Sequence, residues 1–343
     1  MKRLTIVTDA WHPQVNGLVT TYDHIIALLE KRGYTVTVIH PGLFKTIPLP
    51  SYPEIRLSLF PRKRLRAMIE QHAPDAIHVA VEGPLGIATR SICRSKGIPF
   101  TTAYHTHFQM YVEARVRGKF LTPIVYAFLR WFHNAGSATM VATESLREIL
   151  EKHGLEYLSL WPLGVDTDLF KRNSNPPHSL PHHPVFVYLG RLAIEKNCEE
   201  FLALNLPGTK LIIGDGPDRT RLEKKYGDSA VFVGYKHGQE LVDWLSIADV
   251  FVFPSRTETF GLAVIEALAC GIPVAAHDVM GPRDIITNGV DGYLSEDLRD
   301  AAIKCLKLSR DACRKKALTY SWEKSADAFE SLLTPLRLKI PGA

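Results

Sequence analysis

The chain has 343 residues, 46% of them hydrophobic and 22% charged, a globular composition too long for one ordinary core and suited to two domains of about 150 to 170 residues. A formal net charge of +5 suits phosphate-bearing ligands or an anionic membrane surface, and is too small to make nucleic acid a partner. No apolar run reaches 18 residues, which excludes a spanning helix, and the five cysteines show no C-x-x-C pair, which argues for buried free thiols. The start, MKRLTIVTDAW, is interrupted by Asp9 too soon for a signal peptide and reads as a core strand, so a cytoplasmic protein is expected.

Leu4 to Thr8 is the first expected strand. A loop runs to Asn16 and Gly17, a helix from about Val19 to Arg32 ends at Gly33, and a strand from Thr35 to His40 closes a βαβ unit. No G-x-G-x-x-G follows the first strand. Asn16-Gly17 can still take positive φ and bring bare amides to a phosphate, the alternative being a plain turn. Pro61-Arg62-Lys63-Arg64-Leu65-Arg66 opens a helix with charges that oppose its macrodipole, and lipid headgroups are one reason for such a pattern. Between Arg115 and His133, basic residues precede an aromatic-rich apolar run, which is either a bilayer-surface helix or a core helix with a solvated basic end.

Asp75 to Val79 is a further strand, and Glu82-Gly83-Pro84-Leu85-Gly86 leads into a helix. Phe100 to Ala103 is another, ending in Tyr104-His105-Thr106-His107. A His just past a strand's carboxyl end sits at the ligand edge of an open sheet, where it can donate a hydrogen bond or relay a proton. Strand alternation sends His105 and His107 to opposite faces, so no metal is assigned to them. Thr139 to Ala142 and a helix over Glu144 to Lys152 complete a first domain, residues 1–170. The polar, Pro-rich stretch 171–184 reads as a linker.

The second domain, residues 185–320, opens with a strand from Val185 to Leu189, after which Gly190-Arg191-Leu192 and Glu195-Lys196-Asn197 turn into a helix. Arg191 and Lys196 can converge there on one anion, as a fork and a point charge. Strands follow at Leu211 to Ile213 and Val231 to Gly234, with Tyr235 in the next loop. Val250 to Phe253 is a short buried strand stopped by Pro254 and Ser255, and from Phe260 the apolar spacing becomes helical until Gly271 and Pro273. Amides at the start of that helix point partial positive charge into the ligand crevice. Two carboxylates frame the turn, Glu258 in the loop and Glu266 eight residues on, spelling E-x7-E. Two C-terminal helices are expected after Gly292.

Glu258-Thr259-Phe260-Gly261-Leu262, then Glu266-Ala267-Leu268-Ala269, then Gly271-x-Pro273-Val274 stand in the order that resembles the retaining glycosyltransferases of family four, of GT-B fold. The resemblance extends over essentially the whole chain. It implies an α/β protein of two Rossmann-like domains facing an interdomain cleft, with residues 321–343 returning to the first domain. It implies that Asn16, Gly17, Gly190, Arg191, Lys196, Tyr235, Glu258, Thr259, Phe260, Gly261, Leu262 and Glu266 bind a nucleotide-sugar donor, and that Tyr104, His105 and His107 lie on the acceptor side. Of these, His105, Glu258, Arg191 and Lys196 are the expected catalytic set. Asp166-Thr167-Asp168 spells a D-x-D, but its context resembles the segment entering the GT-B hinge, and the family needs no metal or other cofactor. The implied reaction moves a hexose from GDP-mannose or a UDP-hexose to a lipid or glycolipid at a membrane surface. The alternatives are a soluble saccharide acceptor, a sugar-nucleotide 2-epimerase of the same architecture, or a non-catalytic binding subunit.

Overall fold

The structure, a computed structural model, describes residues 2–14, 16–49, 52–105 and 122–336. It divides into two compact units, one holding the chain up to Pro162 together with the part from Trp322 onward, the other holding Leu163–Ser321.

In the first unit the strands are β1 (Lys2–Val7), β2 (Tyr34–Ile39), β3 (Thr46–Leu49), β4 (Tyr52–Ser58), β5 (Ala76–Val79), β6 (Thr101–Tyr104), β7 (Ala138–Val141) and β8 (Leu158–Leu160). Six of them form a parallel sheet in the order β2-β1-β5-β6-β7-β8, while β3 and β4 pair as a separate antiparallel ribbon. Leu4, Ile6, Val7, Ile77 and Val79 are buried on both faces of the sheet, as expected where helices cover both sides. Helix Trp322–Leu332 completes this unit. Its Phe329 is fully buried, its Ser325 carbonyl accepts from Trp161 Nε1 at 3.1 Å, and Glu330 accepts from Lys2 and Tyr34, both at 2.9 Å.

The second unit repeats the design with β9 (Val185–Leu189), β10 (Thr209–Ile213), β11 (Val231–Gly234), β12 (Val250–Phe253), β13 (Val274–Ala276) and β14 (Gly292–Leu294). All pairs are parallel and the order is β11-β10-β9-β12-β13-β14, that of a dinucleotide-binding sheet.

Four expectations change. Residues 163–184 do not behave as the tail of the first domain plus a linker. Arg314 donates to the carbonyls of Thr167 at 2.7 Å and Ala269 at 2.8 Å, and His178 stacks on Trp244 at 3.9 Å, so this stretch is held by the second unit. Three helices, not two, follow Gly292 among the described residues: Leu298–Cys305, Arg310–Ala317 and Trp322–Leu332. Helix Thr122–His133 buries Val125, Tyr126, Leu129 and Phe132 in its own unit and exposes Ile124 and Trp131, so one face of the apolar run is core and the other is open. The basic residues before it lie outside the described residues. Asn16 is extended (φ −158°) and Gly17 is the first residue of helix Gly17–Lys31, so the positive φ read from that dipeptide is not adopted at Asn16.

Candidate functional site

From β9 the chain of the second unit moves to β10 and β11 on one side, then returns to β12 on the other. The loops leaving β9 and β12 therefore diverge, and the crevice between them is the ligand position of a doubly wound sheet. The loop after β9 carries Gly190 to Asn197 and the loop after β12 carries Pro254 to Gly261. Side chains tie the two together. Thr257 Oγ1 donates to the Glu195 carbonyl at 3.1 Å, Asn197 Nδ2 to the Pro254 carbonyl at 3.4 Å, and Lys196 Nζ to Glu258 Oε1. Two expected site residues, 62 positions apart in sequence, thus form an ion pair across the switch point.

Close backbone packing shapes the first loop. Gly190 N donates to the Ile213 carbonyl at 3.1 Å and Gly214 N to the Gly234 carbonyl at 2.9 Å. A Cβ on Gly214 would stand 1.9 Å from the Gly190 carbonyl oxygen, so only glycine lets the loops after β9 and β10 stack. Tyr188, buried, donates its hydroxyl to the Arg191 carbonyl at 2.9 Å and fixes the turn from which the exposed Arg191 projects.

Across the crevice, Gly261 (φ 100°) begins helix Leu262–Ala269 with no side-chain cap, its carbonyl accepting the Val264 amide at 2.9 Å while the Leu262 and Ala263 amides open the helix. Phe260 is buried and meets Tyr320 edge-on at 6.0 Å, so its contribution to the loop is backbone, while Leu262 and Thr259 are half-buried. Glu266, two turns into the helix, is pushed up to about 7 by burial. Tyr235, past the end of β11, is raised first by burial and then by the Glu266 carboxylate, which places the two in each other's field.

The first unit treats its helix starts differently. Asp9, after β1, accepts the amides of Leu85 at 3.0 Å and Gly86 at 3.1 Å at the start of helix Pro84–Lys96, and Asn16 Oδ1 accepts from Val19 N at 3.0 Å. Burial still pushes Asp9 up to about 6, those two amides pulling the other way. Both helix starts already hold one of the chain's own oxygens, whereas helix Leu262–Ala269 has no side-chain cap.

Tyr104 is buried at the end of β6 and lies edge-on to His133 at 5.8 Å. His105 is half-buried, its Nε2 3.1 Å from Tyr22 Oη, and burial holds it down to about 4, with His133 adding to the effect and Glu82 opposing it. His107 lies outside the described residues. Asp166 Oδ1 accepts the amides of Asp168 and Leu169, both at 3.0 Å, and so closes a turn. Sequence reasoning missed Tyr188, Glu200 and His277. Glu200 accepts from Asn197 and lies 3.0 Å from buried His277 Nε2, bracing the residue after Lys196. His277 follows β13 directly, the same position that marks His105, but no recognisable motif surrounds it.

Two doubly wound parallel sheets, one with a cation–carboxylate pair at its switch point, define the class as that of the GT-B glycosyltransferases. The chain is similar over 97% of its length to sucrose-phosphate synthase from Thermosynechococcus elongatus (TM-score 0.76, 21% identity, 98% of that chain). A similar likeness holds over 96% of its length to an Anabaena protein in complex with UDP and glucose (TM-score 0.67, 14% identity, 99% of that chain). Residues 15–169 match Glycosyltransferase Family 4 and residues 171–317 match Glycosyl transferases group 1; the chain belongs to glycosyltransferase family 4. It is 30% identical over 90% of its length to a sulfoquinovosyl transferase of Arabidopsis thaliana, covering 68% of that protein. It is also 30% identical over 93% of its length to a GDP-mannose-dependent alpha-mannosyltransferase of Mycolicibacterium smegmatis, covering 94% of it. With the alpha-monoglucosyldiacylglycerol synthase of Streptococcus pneumoniae it shares 25% identity over 95% of its length, covering 83% of that enzyme.

Proposed function

We propose that this glycosyltransferase moves a hexose, with retention of anomeric configuration, from GDP-mannose or a UDP-hexose to a lipid or glycolipid acceptor at an anionic membrane surface. The Lys196–Glu258 pair beside the uncapped start of helix Leu262–Ala269 carries this reading. Breaking the anomeric C–O bond leaves negative charge on the departing diphosphate. Arg191, Lys196 and the first amides of that helix oppose it, each well-placed donor being worth about 10²- to 10³-fold in rate. Before the donor arrives, the ion pair with Glu258 holds Lys196 in place. The diphosphate then takes the ammonium, and the sugar hydroxyls take the carboxylate. Glu266 receives the ribose hydroxyls. The acceptor hydroxyl attacks from the face the diphosphate leaves, forming the new C–O bond as its proton passes to a donor phosphate oxygen. With two cations and helix amides on the diphosphate, no divalent metal is assigned to the step. The names of the mannosyl, sulfoquinovosyl and glucosyldiacylglycerol relatives support a hexose and a lipid. So does the surface around Phe60, which is 96% exposed and lines a cavity of about 480 Å³ with Arg62, Lys63 and Arg66.

Replacing Arg191 by Ala is expected to lower kcat/KM by about 10²-fold or more. A value within threefold of the parent sinks the assignment. Thermal shifts with GDP-mannose, UDP-glucose, UDP-galactose and the bare diphosphates identify the donor, and the NMR coupling of the product's anomeric proton decides retention.

A further inference from the structure

We infer that Thr101, His78 and Tyr22 form a hydrogen-bond chain of fixed direction that sets the tautomer of His105, holding its Nε2 as an acceptor and its proton on Nδ1. These three are positioning residues, and they leave His105 a hydrogen-bond donor at Nδ1, where it cannot take a proton as a general base, while its Nε2 lone pair is held by Tyr22. The consequence for turnover rests on the reading of His105 as an acceptor-side residue; the tautomer itself does not.

The direction follows from counting hydrogens. Thr101 is fully buried in β6, and its hydroxyl has one partner among the described residues, His78 Nδ1 at 2.8 Å. A buried hydroxyl hydrogen without an acceptor is costly, so Thr101 donates and Nδ1 accepts. Burial pushes His78 down to about 3, so its imidazole is neutral and carries its single N–H on Nε2. That N–H points at Tyr22 Oη, 2.7 Å away, which leaves Tyr22 one hydrogen to give. It goes to His105 Nε2 at 3.1 Å. His105, also neutral, then holds its own proton on Nδ1. The opposite direction would strand the Thr101 hydrogen in a dry strand.

Packing keeps the chain in register. Trp161 lies 5.8 Å from the Tyr22 ring and 5.5 Å from the His105 ring, and Phe329 of the C-terminal helix stands 5.1 Å from Trp161 and 4.9 Å from His78. The helix that returns to the first unit thus closes over the chain that orients His105.

Long-range ¹H–¹⁵N spectra of the full chain labelled with [¹⁵N]histidine distinguish the two neutral tautomers, with His78→Gln and His105→Gln used only to assign signals. The expected result is an Nδ1–H tautomer at His105 and Nε2–H at His78. Tyr22→Phe removes the donor to His105 Nε2 and should let the Nε2–H tautomer appear there, whereas Thr101→Val, which leaves His78 Nδ1 a lone pair and no acceptor, should keep the parent pattern. An Nε2–H tautomer at His105 in the parent, or one indifferent to Tyr22→Phe, overturns the inference. In turnover, Tyr22→Phe should lower kcat about three- to tenfold, the worth of one net hydrogen bond, with donor KM within twofold. A tautomer that follows Tyr22 while turnover is unaltered keeps the chain and instead overturns the acceptor-side role of His105.

Discussion

Glu266 is held in a setting that burial makes hostile to its charge, and that has a consequence with a definite sign. Its folded-state value of about 7 lies above the ordinary 4.5, so the folded state binds the proton more tightly than the unfolded chain does. Its contribution is therefore fully present below about pH 4.5 and is lost as pH rises toward about 7. Replacing Glu266 by Gln should leave stability unchanged in acid and raise it above neutrality by an amount on the order of 3 kcal/mol. Chemical denaturation of both proteins across that range measures the gap, and a gap constant with pH contradicts the burial argument. Donor affinity should move the other way. Ribose hydroxyls donate to the ionised form, so binding should weaken as pH falls below about 7.

At the level of elements, the site depends on loops that glycine allows to touch. Gly214 sits at φ 149° with the Gly190 carbonyl filling the space where a side chain would begin. Alanine there must displace the turn that carries Arg191, at a cost of about 2 kcal/mol or more. A melting temperature lowered by several degrees together with weakened donor binding is the expected outcome. Unchanged binding would detach the turn from the site. Gly281 does the same for the other loop, since a Cβ there would lie 2.7 Å from the Phe260 carbonyl and 3.2 Å from Glu258 Cβ. The sequence marked both loops by their motifs. It did not reveal that Lys196 and Glu258 pair with each other, because charges 62 positions apart meet only when β9 and β12 become neighbours.

For the molecule as a whole, net charge +5 and the exposed Phe60 beside Arg62, Lys63 and Arg66 suit the headgroup layer of the proposed membrane surface. No helix among the described residues is long and apolar enough to cross a membrane. Sedimentation with vesicles rich in phosphatidylglycerol should capture the protein, and neutral phosphatidylcholine vesicles should not. Raised salt should release it, as should Phe60→Ser combined with Arg62→Glu. Equal binding to both vesicle types would remove this surface from the proposal.

The sequence by itself determined the alternation of short buried strands and helices, the two-domain length and the carboxyl-edge motifs, because periodicity, glycine and proline are local properties. Val185–Leu189, Val231–Gly234 and Val250–Phe253 have the bounds their apolar runs imply. Tertiary structure alone decided which polar groups face one another. Asp9 caps a distant helix, residues 163–184 join the second unit, and Tyr22 meets His78 and His105. Each of these contacts joins parts of the chain whose nearness is created by strand order, and strand order is set by the burial of whole sheets, which no local window of sequence contains.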